Sequence, residues 1–294
     1  MLGSGLFSGA DGGTDGVHGL SDRTENGLLV AAEVTKVFGG HRAVDGVSFS
    51  LPRGAIGGLI GPNGAGKTTL FNCLAGFMKP SSGQVWLDGQ PIAGAPPSKV
   101  FAAGLGRTFQ IPRPFPEMTV LDNVMLAPTG QLGERFWANW LRPRAVAAQE
   151  RHTRDAARHW LDFVGLATLE QQPARVLSGG QRKLLELARV MVAAPKLVLL
   201  DEPGAGVNPA LLDLIVDKVS ALNRQGVTFL VIEHNMDLVM TLCKPVMVMA
   251  QGRLLTTGDA AQVLRDPRVV EAYLGDAAES TAERAAQNTT ENAA

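Results

Sequence analysis

Gly61-Pro62-Asn63-Gly64-Ala65-Gly66-Lys67-Thr68 is the tract that decides how this chain folds. It fits G-x-x-x-x-G-K-[ST], a loop that wraps phosphates, and its neighbours are those such a loop needs. Ala55–Ile60 reads as a buried strand before it and Lys67–Phe77 as a helix after it. Glycine suits the loop because backbone N–H groups must close around a polyanion with no Cβ in the way. The helix start adds unpaired N–H groups and the positive end of a dipole. Lys67 can then reach β- and γ-phosphates and Thr68 can ligate Mg2+, with Thr69 next in the same turn. The loop alone predicts a nucleoside triphosphate and nothing finer.

Downstream the chain alternates as βαβ units do. Helix Gln181–Val192 leads to strand Leu197–Leu200, then to helix Pro209–Leu222 and strands Val227–Ile232 and Pro245–Ala250. Lys196-Leu-Val-Leu-Leu-Asp201-Glu202 is an apolar run ending in two carboxylates, the pattern of a central parallel strand buried on both faces. Ligands of open α/β sheets sit at such carboxyl ends. Asp201 is therefore the candidate metal carboxylate and Glu202 the candidate general base that orients or deprotonates a water. Upstream, LLVAAEV and VDGVSFSL read as antiparallel strands around Gly39-Gly40, and QVWLDGQPI as a hairpin turning at Asp88-Gly89.

Leu177-Ser178-Gly179-Gly180-Gln181 has the form of a helix start, with Ser178 as N-cap and Gln181 completing a capping box. Two glycines in a first turn are poor helix formers, and they fit a terminus that an anion approaches closely. One chain thus offers two phosphate-binding helix starts far apart in sequence. Such a pair suits a head-to-tail dimer in which each nucleotide is held by one site from each chain.

Composition narrows the class. Apolar residues are 45% of the 294 and charged residues 19%, enough for a sizeable core. The net charge of −1 gives no reason to expect nucleic acid. Cys73 and Cys243 form no paired motif, so a reducing compartment is the default. No run nears the ~18 apolar residues of a membrane span, and the first residues lack a basic signal-peptide start. An NKxD guanine-reading motif is absent, which excludes a small GTPase. Residues 1–27 and 276–294 read as disordered extensions. Between Glu134 and Trp160 six arginines stand against three acids, with Trp137, Trp140 and Trp160 among them. That stretch reads as a solvated helical decoration, with contact to lipid headgroups or a transmembrane partner as the other reading.

With these motifs in order, residues 28–275 resemble the nucleotide-binding subunits of ABC transporters, whose signature is LSGGQ. The resemblance implies an α/β P-loop ATPase core, a mixed sheet with helices on both faces. It also implies an antiparallel β subdomain and a helical signature subdomain at about 112–195. It implies that Phe38 stacks on adenine, that Gln110 touches Mg2+ and relays motion, and that His234 contacts the γ-phosphate as the switch histidine. Asn208 stands where the family more often has Asp. Gly61 to Thr69 would hold ATP in one chain, and Ser178, Gly179, Gly180 and Gln181 would complete that site in the partner. The implied partners are a second ATP-binding subunit, two permease subunits and, indirectly, a solute-binding protein, with the chain peripheral on the cytoplasmic face. The stretch Gly106–Val120, the arginine- and tryptophan-bearing insertion at 131–160, Asp201–Pro209 and the ending Val270-Glu-Ala-Tyr-Leu-Gly275 resemble the importer group for branched-chain amino acids, the long insertion favouring amino acids over other cargo. Urea importers and lipopolysaccharide exporters share part of this pattern. Soluble members of the superfamily usually carry two cassettes or a long coiled coil, and this sequence shows neither.

Overall fold

The computed structural model describes residues 27–110, 112–130, 137, 140 and 142–274. The expected N-terminal extension, short of Gly27, and the expected C-terminal tail lie outside the described residues, as does much of the segment 131–141. Gly27–Phe38 (β1) and His41–Pro52 (β2) run antiparallel around Gly39-Gly40. The turn has φ angles of 50° and 94°, which suit a tight mirror-image turn between twisted strands. Ile56–Ile60 (β3) leads through the glycine loop into Lys67–Leu74 (α1). Ser82–Leu87 (β4) and Gln90–Pro91 (β5) form a hairpin beside β1. Pro97–Ala102 (α2), Leu105–Arg107 (β6), Val120–Met125 (α3), Pro143–Phe163 (α4) and Gly179–Met191 (α5) follow. The closing half comprises Leu197–Asp201 (β7), Pro209–Arg224 (α6), Thr228–Ile232 (β8), Met236–Leu242 (α7), Val246–Ala250 (β9), Arg253–Gly258 (β10) and Ala260–Val263 (α8).

These strands make two sheets. One is antiparallel in the order β2-β1-β4-β5; the other is six-stranded in the order β10-β9-β3-β8-β7-β6. The second is parallel except at β10, so the fold is the mixed α/β sheet that the sequence predicts. Its central strands read as continuous apolar runs because both faces are covered. Along β7, Leu197 and Leu199 join the core shared with α1 and the antiparallel sheet. Val198 and Leu200 join the core shared with α3, α4 and α5. Residues alternate across a strand, so one five-residue strand serves two cores. Its carboxyl end bears Asp201, with Glu202 next in the chain.

The elements depart from sequence expectation in three places. Helix α1 stops at Leu74 instead of Phe77, because Gly76 takes φ 77° and a Cβ there would lie 2.4 Å from the Ala95 carbonyl oxygen. Phe77 is then free to set its ring edge-on to Phe109 at 5.6 Å. Strand β6 is three residues long, too short for any periodicity to register. Strand β10 is an additional strand that follows the turn Gln251-Gly252, whose φ angles of 48° and 78° close a hairpin with β9.

Candidate functional site

The cradle is built at the exit of β3. Gly61 takes φ 148°, and a Cβ on it would sit 2.0 Å from the Met249 carbonyl oxygen, so the loop tolerates no side chain there. Gly66, the N-cap of α1, supplies no side chain to the first turn of that helix, where α3, α5, α6 and α7 are each capped by one. The amides of that turn are thereby left for an anion. They face a cavity of about 190 Å3 lined by Ala43, Asn63 to Thr69, Glu202 and His234. Lys67 is 5% exposed and donates to the carbonyl oxygens of Gly61 (2.6 Å) and Pro62 (2.8 Å), so its ammonium is stored on the rim of the loop. Phe38 ends β1, 45% exposed, with the Lys36 ammonium 5.1 Å from its ring centre; it does not line this cavity.

Glu202 follows β7 in the left-handed region, φ 48°, where a non-glycine residue is held only by its surroundings. Its carboxylate is gripped from two sides. Gln110 Nε2 donates to Oε2 at 2.6 Å, and His234 Nε2 lies 3.1 Å from Oε1. Residues that the sequence spreads over 124 positions, from 110 to 234, thus meet at one carboxylate. Asp201 sits apart from this group. It is buried in an ion pair, its Oδ2 accepting from Arg107 Nη2 at 2.9 Å, and it does not line the loop cavity. Oxygen donors from Thr68, Asp201 and the Gln110 amide suit a hard cation such as Mg2+.

The signature turn forms the predicted capping box. The Gln181 amide donates to Ser178 Oγ at 3.2 Å, and Gln181 Oε1 accepts from the Ser178 amide at 2.9 Å. Its glycines differ. Gly179 has nothing within 4 Å of a notional Cβ, whereas on Gly180 that atom would fall 1.6 Å from Leu211 Cδ2. Gly179 therefore borders open space among the described residues. Gly180 is packed against α6. None of Ser178 to Gln181 lines the cavity of its own phosphate loop.

Comparison with known proteins bears on this geometry. The family model described as ABC transporter matches residues 44–205, more than half the chain. This chain belongs to the ABC transporter ATP-binding family. A second model, described as branched-chain amino acid ATP-binding cassette transporter, matches residues 253–279. The high-affinity branched-chain amino acid transport ATP-binding protein BraF of Pseudomonas aeruginosa is 40% identical over 85% of this chain and 98% of its own length. LivG of Escherichia coli, named in the same terms, is 39% identical over 86% of the chain and 97% of its own length. A solved nucleotide-free ATP-binding cassette superposes with a TM-score of 0.73 at 36% identity, covering 83% of this chain and 98% of that one. A cassette in its ADP conformation gives 0.71 at 36% identity, covering 84% and 98%.

Several residues of the cassette that reading by motif missed hold these parts in place. Glu233, 3% exposed, accepts from the amides of Gly204 (2.7 Å), His234 (2.9 Å) and Asn235 (3.1 Å), tying the loop after Glu202 to the histidine loop. From α5, Lys183 donates to the carbonyl oxygens of Glu202 (2.9 Å), Pro203 (3.1 Å) and Ala205 (2.7 Å). Asn208 caps α6 by accepting the Leu211 amide at 2.9 Å, a contact that Asp would also make, so the substitution drops a charge and keeps the cap. No single-residue signal marks Glu233 or Lys183; their partners are recognisable only once the loops are folded.

Glu186 on α5 accepts the Phe109 amide at 3.0 Å and so links the signature helix to the residue before Gln110. Burial pushes its carboxyl up to about 7, against the pull of the Phe109 amide, Arg189, Lys183 and Arg107. A carboxyl raised in the folded state destabilises when it ionises. The penalty is absent below the ordinary 4.5, grows as pH rises, and levels off above about 7. Glu186→Gln keeps an acceptor for the amide and removes this titration. The variant is expected to gain roughly 3 kcal/mol over the parent between pH 4.5 and pH 7.5, read as diverging urea midpoints.

Proposed function

We propose that this chain binds and hydrolyses MgATP as one half of a head-to-tail pair of cassettes that drives import of branched-chain amino acids. In this reading 28–275 is the nucleotide-binding domain, with a helical subdomain at about 112–195, and it docks on two permease subunits at the cytoplasmic face of the membrane. A solute-binding protein would deliver cargo from outside. The observation that carries the reading is the placing of Glu202 between Gln110 and His234 at the mouth of the glycine loop, while the capped turn at Ser178 lies outside that cavity. A γ-phosphate held by Lys67 would have a base and a histidine beside it and would still lack a lid. The partner's turn at Ser178 and Gly179 is the element able to supply one.

In the proposed mechanism Lys67 leaves the carbonyls of Gly61 and Pro62 for the β- and γ-phosphates. The first-turn amides of α1 take the phosphate oxygens, and Glu202 orients and deprotonates the attacking water. Thr68, Asp201 and Gln110 would hold Mg2+, which when bound offsets phosphate charge. Phe38 would stack on adenine. Nucleotide favours the closed pair through contacts that only closure makes, and hydrolysis removes them. The assignment of cargo draws on the names of BraF and LivG and on the match at 253–279.

The test is transport by the reconstituted complex. Ser178→Arg, which fills the space over the partner's phosphate, is expected to lower ATP-driven leucine uptake and coupled turnover by about 100-fold. MgATP binding to the isolated chain should persist. Turnover that ignores Ser178, or coupling to urea in place of leucine, would overturn the assembly or the cargo respectively.

A further inference from the structure

We infer that Arg107 is a positioning residue for the metal carboxylate Asp201, holding one of its oxygens so that the other is presented to Mg2+. The inference rests on the proposed role of Asp201 as a metal carboxylate. Arg107 ends β6, the edge strand beside β7, with Arg107 paired in register to Leu199. Both partners of the ion pair are buried, at 6% and 7% side-chain exposure. A buried ion pair adds little stability compared with apolar packing, because desolvation offsets the attraction. Asp201 closes a strand that is otherwise apolar and buried along its whole length. A charge kept here needs a reason other than folding energy.

The geometry supplies one. Arg107 Nη2 donates to Asp201 Oδ2 at 2.9 Å and Nη1 to Asn72 Oδ1 at 2.6 Å, on the helix that starts at the phosphate loop. The guanidinium lies 5.4 Å from the ring centre of Phe77 and 5.3 Å from that of Phe109. The planar fork is thus clamped by two rings and two hydrogen bonds, even though its buried Nε has no hydrogen-bond partner among the described residues. The next residue, Thr108, takes the Asp201 amide on its hydroxyl at 3.4 Å. Oδ1 of Asp201 receives no hydrogen bond among the described residues. One oxygen is committed and one is left over. Partners that orient a ligating carboxylate in this way are worth about 10- to 100-fold in metal affinity. Lysine carries the charge without the fork and would restore only part of the effect.

The experiment compares the affinity of a non-hydrolysable ATP analogue in excess Mg2+ with that in EDTA, for the full-length chain. The ratio of the two isolates the contribution of the metal. Arg107→Ala is expected to lower that ratio about 10- to 100-fold while changing the EDTA affinity less than about threefold, and Arg107→Lys to recover part of it. The Mn2+ resonance spectrum of the ternary complex should broaden in Arg107→Ala, reporting a less ordered carboxylate. Asp201→Asn serves as reference. If it loses the metal contribution and Arg107→Ala keeps it, the positioning role is wrong. If Asp201→Asn also keeps it, Asp201 is not a metal carboxylate and the inference falls with that reading. Should Arg107→Ala not fold, Asn72→Ala loosens the same clamp from its other end; an unchanged ratio there would equally overturn the role.

Discussion

Glu202→Gln is expected to lower ATP turnover by roughly 1,000-fold while MgATP affinity stays within a few-fold of the parent. The substitution is nearly isosteric, and both present contacts survive it. The new amide oxygen can accept from Gln110 Nε2, now 2.6 Å from Oε2, and its NH2 can face His234 Nε2, now 3.1 Å from Oε1, in the tautomer that accepts. The strained backbone at φ 48° is still held by the hydrogen bond from the residue's amide to Ile232 and by Lys183 on its carbonyl. What is lost is the capacity to take a proton from water. With hydrolysis blocked, the contacts that favour closure persist, so the assembled transporter should accumulate as an ATP-bound closed pair. Single-turnover hydrolysis and gel filtration with ATP measure the two halves of this expectation. Turnover within tenfold of the parent would remove Glu202 from the role of base.

Lys67→Ala should weaken MgATP binding by roughly 100- to 1,000-fold, about 3–4 kcal/mol, the usual result of removing one partner of a buried charge pair. Its ammonium is already at the rim of the loop, held by two carbonyl oxygens at 2.6 and 2.8 Å, so little ordering is needed to transfer it to phosphate. The variant leaves those two carbonyls without their donor, and a thermal melt should accompany the titration to separate loss of fold from loss of ligand. Calorimetric affinity equal to that of the parent would contradict the cradle.

Much of the site was legible before any folding was considered, and it was legible for a common reason. The glycine loop, the apolar strand ending in Asp201-Glu202 and the Ser178–Gln181 capping box are made of backbone geometry and neighbouring side chains. Their spacing in sequence is their spacing in space. What a local stretch could not show has remote causes. Helix α1 ends early because Ala95 lies over Gly76, and Gly180 is also packed against Leu211 of α6.

The sequence by itself determined that the chain carries a phosphate loop, a carboxylate-tipped central strand and a capped signature helix. Tertiary structure alone decided which side chains those parts meet. Asp201 faces Arg107 across 94 residues, Glu202 lies between Gln110 and His234, and Glu233 joins the two loops that carry Glu202 and His234. The physical reason is that these groups reach one another only when β6, β7 and β8 are laid side by side, and strand order leaves no mark on any local stretch of residues.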